Sequence, residues 1–363
     1  MNAPLSIRHP LPPLQFCSCM ANSIALLSWR IVQGVRPQPG ELVQVIDRAG
    51  RDDLLRSVAL DLELAGATPL VELASPDHIA ALLRAGDRHY LSRYDHHRRA
   101  WIERVDRVIA LQSAEPDLAG VDDESLALWL AAQDRLTAAE DARRLPSLSV
   151  AVPTPARAAQ LGMTFEVLEE MMFEAAMVSL LDLQDDLLRI QRPLEQTDAF
   201  IIRSGSACEL RVVRGARPLR WDDGYIDEAD QARGALLSSL PAGLVYFTVL
   251  EDQAEGSLFL PLAGEARNVT LHFERRRIVH IEAAEGAAAL ADFLDAHGEG
   301  ARRIGHLGIG ANRALRQPIG WPMVDERVHG MLFIALGENR FLGGQNAAAL
   351  NEAFLVPGAS IEA

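Results

Sequence analysis

The sequence predicts an α/β N-terminal domain, with a parallel or mixed sheet flanked by helices, followed by a mainly antiparallel α+β C-terminal domain. Strand-like and helix-like segments alternate between residues 32 and 152 of the 363-residue chain, which is typical of βαβ units. After residue 198, short segments with a period of two are separated by Gly, Pro and Asp, as in antiparallel sheets. A chain of this length accommodates two domains.

Four strands and the helices between them define the predicted α/β domain, residues 32–152. The strands are QPGELVQVID, TPLVELA, VDRVIALQ and PSLSVAV. One amphipathic helix is RDDLLRSVALDLELAGA, in which Leu54, Leu55, Val58, Ala59 and Leu62 share one face. We therefore expect a sheet whose strands are connected by helical crossovers.

Three further segments complete the predicted organisation. Residues 1–31 contain four prolines before any apolar run, which predicts an extended arm and not a secretory signal. Residues 153–197 read as a helical bridge, with Thr164 as a helix N-cap. Residues 198–363 form the predicted β-rich domain, with one helix at EGAAALADFLDAHG.

Composition excludes several classes of function. Asp and Glu outnumber Lys and Arg by 50 to 35, so the average field repels nucleic acid. No window approaches the roughly 18 uninterrupted apolar residues of a membrane helix. Cys17, Cys19 and Cys208 give no disulfide framework, and we expect a cytoplasmic protein.

The segment NVTLHFERRRIVHIEA predicts a hairpin that places His272 opposite His280. Two imidazoles and a nearby carboxylate could hold zinc or iron. The same alternation is expected on the solvated face of a half-buried sheet, which is the interpretation we prefer.

A glycine-dense stretch, GHLGIGAN, carries His306 beside Gly308 and Gly310. It lacks the Lys or Ser/Thr of a phosphate loop, and the next residues contain two prolines. Common nucleophile and zinc signatures, such as G-x-S-x-G and H-E-x-x-H, are absent from the sequence. His306 therefore stands out as a residue at the lip of a cleft.

Several segments in order resemble the thermophilic metalloprotease family of metal-dependent aminopeptidases, typified by aminopeptidase T, and its iron-dependent relatives, the 2,5-dihydroxypyridine dioxygenases. The resemblance runs from about Val32 almost to the C-terminus. The matching segments are VRPQPGELVQV, VAVPTPARAAQLGMTFEVLEE, SLPAGLVYFTVLEDQAEGSLFLP, HLGIGAN, DERVHGMLFIALGENRFLGG and GGQNAAALNEAF. It implies the fold of those enzymes.

The resemblance also assigns the metal ligands of the family to positions that carry other residues here. The family's glutamates, histidines and aspartate fall on Leu244, His306, Phe333, Asn351 and Ala353. A tyrosine of the family falls on Arg340. Only His306 matches a ligand, that of the dioxygenases, and one imidazole does not retain a divalent cation.

This replacement implies a metal-free member of the family that needs no cofactor and binds a peptide without cleaving it. The peptide-binding residues so implied are Leu244, His306, Gly308, Gly310, Phe333, Arg340 and Asn351. Such proteins resemble accessory proteins of peptide natural-product pathways, of which the crocagin pathway is an example. The implied partners are a precursor or leader peptide and a modifying enzyme, and the family also suggests a homodimer.

Two alternatives stay open. In the first, the protein is a metal-independent enzyme in which His306 acts as acid or base, oriented by Asp325 or Glu326, with His329 as a further candidate. In the second, the face that carries His272 and His280 holds a metal ion. The interpretation of Asp325 and Glu326 as ordinary loop ion pairs competes with the first alternative.

Overall fold

The N-terminal part of the protein alternates helices and strands, in a computed structural model that describes residues 20–362. Its elements are α1 (Met20–Val35), β1 (Leu42–Asp47), α2 (Asp52–Leu64), β2 (Thr68–Leu73), α3 (Pro76–Ala85), α4 (Arg88–Ser92), α5 (Asp95–Ile102), β3 (Arg107–Gln112), α6 (Asp123–Arg143) and β4 (Ser147–Ala151). The predicted face of α2 is buried, which confirms the periodicity argument.

The remaining elements are helices first and mainly strands afterwards. The bridge contains α7 (Pro155–Gln160), α8 (Phe165–Ala176) and α9 (Leu180–Glu195). The following elements are β5 (Ala199–Ser204), β6 (Cys208–Val213), β7 (Arg220–Asp222), α10 (Glu228–Arg233), β8 (Leu237–Leu240), β9 (Leu244–Thr248), β10 (Glu255–Ala263), β11 (Ala266–Glu274), β12 (Arg277–Glu282), α11 (Ala287–Ala296), β13 (Ile304–Gly310), α12 (Pro322–Asp325), β14 (Leu332–Gly337), β15 (Asn351–Val356) and β16 (Ser360–Glu362). Thr164 caps α8, as predicted.

The N-terminal sheet is parallel, with the strand order β2-β1-β3-β4-β8. Its last strand, β8, comes from beyond the predicted boundary at residue 152, because the chain returns to this sheet after β7. Helices on both faces of the sheet explain the continuous burial along β1 and β3. The predicted α/β architecture is confirmed, and one strand is contributed from the C-terminal part.

The prediction of an extended arm over residues 1–31 is wrong for residues 20–31, which belong to helix α1. Ile24, Leu27, Ile31 and Val35 recur at helical spacing and pack into the main hydrophobic core. All four prolines that suggested an extended arm precede this helix. Residues 1–19, with Cys17 and Cys19, lie outside the described residues, and Cys208 is a free thiol.

Two antiparallel sheets form the C-terminal part, as predicted. One has the order β12-β11-β10-β6-β5-β16, and the other has the order β15-β14-β13-β9-β7. Apolar side chains from one face of each sheet join a single core that continues into the N-terminal part. The second sheet therefore has a further face, turned away from this core, where the candidate site lies. None of the described helices is long and apolar enough to span a lipid bilayer.

Asn312 joins three segments that surround the second antiparallel sheet. Its side chain is fully buried, and its Nδ2 donates to the carbonyl oxygens of Ala175 at 2.9 Å and Ala242 at 2.8 Å. Its Oδ1 accepts from the backbone N–H of Ala314 at 3.1 Å. One amide thus ties the end of α8 and the turn before β9 to the loop after β13.

Replacing Asn312 with Ala should destabilise the protein by about 2–4 kcal/mol, because two buried carbonyl groups and one N–H lose their partner. Chemical denaturation measures the change, with Asn351→Ala, at an exposed position of β15, as the control. A loss below about 0.5 kcal/mol, the size of an ordinary surface effect, would show that the three segments do not depend on this amide.

Candidate functional site

The candidate site is the face of the second antiparallel sheet that is turned away from the main core. The register places Gly308 of β13 between Tyr246 of β9 and Phe333 of β14. His306 is aligned in the same way with Ala335 of β14. Most positions to which the resemblance assigned metal ligands therefore come together across neighbouring strands.

Phe333 fills the space above Gly308. A Cβ atom added to Gly308 would overlap Cε1 and Cζ of the Phe333 ring, so only glycine leaves room for it. Phe333 is 1% exposed and Leu244 is 5% exposed, and both pack with Ala335 in a separate apolar cluster. These two side chains were predicted to contact a peptide, and in the structure they are packed in one buried apolar cluster.

His306 lies at the edge of this cluster in an apolar environment. Its ring meets the rings of Phe333 and Phe341 edge-on, with centroids 5.6 and 5.8 Å apart. Its Nδ1 is buried and has no hydrogen-bond partner within the described part of the chain. Burial lowers the pKa of His306 to about 4, so the imidazole is neutral at pH 7.

The structure does not give His306 the partners that were predicted for catalysis. Asp325 accepts the backbone N–H groups of Ile319 and Gly320 at 2.7 and 2.9 Å, and thus closes a turn. Glu326 accepts from Arg327 at 2.9 Å, and His329 is exposed. Each carboxylate is engaged by its own neighbours.

Two carboxylates lie near this face: Glu326, which sequence analysis considered as a partner of His306, and Glu352, to which it assigned no role. Burial raises the pKa of Glu326, and the adjacent Arg327 opposes the shift. Burial also raises the pKa of Glu352, and repulsion from Glu326 raises it further. The two acids are thus close enough to interact, but within the described part of the chain they belong to no group of three or more acidic, cysteine or imidazole side chains that could hold a metal ion.

The residues present do not fit a metal ion. Within residues 20–362, no cluster of three or more His, Cys, Asp or Glu side chains could hold one. The hairpin of β11 and β12 is no exception. In it His272 lies opposite His280, as predicted, with ring centroids 5.5 Å apart. Both imidazoles there lie near one carboxylate, Glu282, at 3.2 and 3.5 Å.

A polar network holds the loop that follows β14. Asn339 Nδ2 donates to Thr248 Oγ1 and to Glu251 Oε1, each at 2.9 Å. Glu251 also accepts from both Nη atoms of Arg217 and from the backbone N–H of Gln345. Burial alone would raise the pKa of Glu251, but these donors lower it to about 2. Nothing in the local sequence around Glu251 indicated this role.

Two of the polar residues predicted to contact a peptide, Arg340 and Asn351, lie at the rim. Arg340 is exposed and donates to the carboxylate of Glu338 through Nε at 2.8 Å and through Nη2 at 2.9 Å. Asn351 is exposed at the start of β15, opposite Gly337. Neither is buried by the fold, so both remain accessible to a ligand.

Gly308→Ala should destabilise the protein by about 1–3 kcal/mol, because its methyl group has to displace the buried Phe333 ring. In a Phe333→Ala background the methyl group has room, so the added cost should fall. Denaturation of the wild type, both single variants and the double variant measures the coupling, which we expect to exceed about 1 kcal/mol. Additive effects would show that Phe333 does not depend on the glycine.

Glu251→Gln should destabilise the protein by about 1–3 kcal/mol at pH 7, because the carboxylate is stabilised in the folded state. The folded pKa lies below the unfolded value, so this contribution is complete above pH 4.5 and is lost as the pH falls toward 2. The difference between wild type and variant should therefore shrink over that interval. Glu255→Gln, at an exposed position, is the control, and a difference independent of pH would contradict the assignment.

Comparisons with known proteins agree with this architecture. The family model described as thermophilic metalloprotease (M29) matches residues 23–342. The solved structure of wild-type AmpT from Thermus thermophilus superposes with a TM-score of 0.70 at 16% identity, covering 94% of this chain and 95% of that one. The 2,5-dihydroxypyridine dioxygenase from Pseudomonas putida KT2440 superposes with a TM-score of 0.61 at 17% identity, covering 95% and 94%.

At these identities the two structures show the fold alone, and the comparison with curated proteins found no significant match. The family model, in contrast, extends over most of the chain and includes β9, β13 and β14, which carry the candidate site. The chain belongs to the thermophilic metalloprotease (M29) family.

Proposed function

We propose that this protein is a metal-free, non-catalytic member of its family that binds a peptide at the face formed by β9, β13, β14 and β15. The observation that carries the proposal is the apolar cluster of Leu244, Phe333 and Ala335, in which Leu244 and Phe333 stand at positions to which the resemblance assigns metal ligands. A cluster that buries hydrocarbon needs no counter-ion, whereas empty carboxylate ligands would repel one another.

The rim of the cluster provides surface for an apolar side chain. Tyr246, Ala353 and Leu355 are partly exposed and pack against the cluster. Phe341 is 40% exposed and covers one edge of His306. Covering such surface favours binding by roughly 25 cal/mol for each Å² of apolar area removed from water.

Two features favour an extended peptide as the ligand. Within the described residues β15 is the last strand of its sheet, and an extended chain can add to such an edge through backbone hydrogen bonds. Arg340 lies nearby, and its ion pair with Glu338 is exposed, so exchanging that partner for a peptide carboxylate costs little. The neutral His306 adds a hydrogen-bonding group without a charge.

The identity of the peptide is proposed from the resemblance to accessory proteins of peptide natural-product pathways. On that basis the ligand is a precursor or leader peptide, and the protein presents it to a modifying enzyme, with a homodimer as the expected assembly. Peptides encoded next to the gene for this protein are therefore the appropriate probes.

Calorimetric titration with those peptides should give saturable binding, whereas scrambled peptides of the same composition should not bind. Phe341→Ala should weaken binding about 10-fold, as expected when an aromatic anchor is truncated. Phe293→Ala, at an equally exposed phenylalanine on α11, is the matched control and should leave binding unchanged. Equal effects of the two variants would place the binding site elsewhere.

The alternative function is a metal-independent reaction in which His306 transfers a proton. The unpartnered Nδ1 is the observation in its favour, while the pKa of about 4 makes the imidazole a weak base. Turnover of a peptide that survives a chelator and disappears in His306→Ala would establish this alternative. Binding without turnover would support the non-catalytic function.

A further inference from the structure

A cavity of about 140 Å³ lies in the N-terminal part, between the parallel sheet and the helices α3, α5 and α6. We call it the sheet-edge cavity. It is on the face of the sheet opposite α1 and α2. None of its lining residues belongs to β9, β13, β14 or β15, so it is separate from the proposed peptide site.

The topology of the sheet places this cavity where α/β proteins bind ligands. From β1 the chain moves to β2 on one side, and then crosses to β3 on the other side. Ligands in open α/β sheets bind beyond the carboxyl ends of the strands at such a reversal. Arg48, Ala74 and Ala114, which follow the ends of β1, β2 and β3, all line the cavity.

The inner wall of the cavity is apolar apart from one ion pair. Ile46 and Ile102 are buried and supply hydrocarbon from the sheet and from α5. Arg98 donates through Nε to Glu72 Oε1 at 2.5 Å, and Glu72 Oε2 accepts from Gln44 at 2.8 Å. Because Arg98 and Glu72 neutralise each other, the inner wall suits an apolar group of a ligand.

Arg48 and Glu140 are charged residues of the wall whose side chains do not pair. Arg48 is exposed after β1, and Glu140 is half-buried on α6. Neither side chain makes a hydrogen bond or an ion pair within residues 20–362. They are nevertheless close enough to interact, since burial raises the pKa of Glu140 and the charge of Arg48 opposes that shift. A cation and a carboxylate thus share one cavity without direct contact.

Glu115 adds a second negative charge to the wall. It is exposed after β3 and, like the other two, makes no hydrogen bond or ion pair within the described part of the chain. Its charge also acts on Arg157, whose pKa burial lowers and Glu115 raises. A ligand with only a carboxylate would meet repulsion from Glu115 and Glu140, and a ligand with only an amine would meet repulsion from Arg48. A ligand that carries both charges avoids each of these costs.

We propose that the sheet-edge cavity binds a small zwitterionic amino acid, with its carboxylate on Arg48, its ammonium group on Glu140 and its side chain against the apolar inner wall. A guanidinium group matches a carboxylate through two parallel hydrogen bonds. A cavity of about 150 Å³ accommodates a benzene-sized group, so the side chain is small, as in valine. This site does not rest on the proposed function.

Equilibrium dialysis of radiolabelled L-valine against the full-length protein tests the proposal, and we expect saturable binding. Two analogues keep the branched hydrocarbon and lose one charge each. They are 3-methylbutanoate, which lacks the amine, and 2-methylpropylamine, which lacks the carboxylate. Each should compete about 10-fold more weakly than unlabelled valine, because it gives up one charge-assisted contact.

Arg48→Gln and Glu140→Gln assign the two ends of the ligand. Each should weaken valine binding about 10-fold. Glu140→Gln should not weaken the binding of 3-methylbutanoate, and Arg48→Gln should not weaken that of 2-methylpropylamine, because each analogue lacks the group concerned. Arg104→Gln and Glu166→Gln, at exposed positions outside the cavity, are the matched controls and should leave valine binding unchanged. Thermal unfolding of each variant checks that it folds.

Three results would each overturn the proposal. They are no saturable binding of valine, competition by either analogue as strong as that of valine, and unchanged valine binding in Arg48→Gln or Glu140→Gln. The comparison of analogues uses wild-type protein, so it remains decisive if a variant does not fold.

Discussion

The contact between the Phe333 ring and Gly308 determines the character of the C-terminal site. A glycine on one strand makes room for an aromatic ring from the next, and that ring stands at a position to which the resemblance assigns a metal ligand. Leu244 and Ala335 complete the packing. Burial of this hydrocarbon stabilises the sheet, and such packing needs no cation.

This packing also accounts for the electrostatics of the surrounding groups. His306 faces aromatic rings, so its charged form is disfavoured. Farther out, Glu251 and Asn339 fasten the loop after β14 by charge-assisted hydrogen bonds. The site thus combines an apolar centre with a rim that is held in place by charge-assisted hydrogen bonds.

The architecture could be predicted from the sequence because the periodicities are strong and local. The apolar face of α2 and the alternation around His272 and His280 were both read correctly. The prediction of an extended arm was wrong for residues 20–31, because the prolines that suggested it lie before residue 20 and helical spacing begins after them. The return of β8 to the parallel sheet depends on contacts between distant segments, which no local pattern reports.

The candidate site was only partly predictable, because it too depends on contacts between distant segments of the chain. The positions of Leu244, His306 and Phe333 on one face followed from the resemblance and agree with the register of the strands. Their burial did not, because it depends on the Phe333 ring lying across a neighbouring strand. Likewise, the hypothesis that Glu326 orients His306 could not anticipate that this carboxylate accepts a hydrogen bond from Arg327.

Metal content of the purified protein tests the central claim most directly. Protein incubated with zinc, iron, manganese or cobalt and then freed of loose ions should retain no stoichiometric metal that depends on His306. Comparing the wild type with His306→Ala distinguishes metal bound at the candidate site from metal bound elsewhere in the chain. One equivalent of metal held by the wild type and lost in His306→Ala would contradict the account, because a filled apolar cluster leaves no place for it.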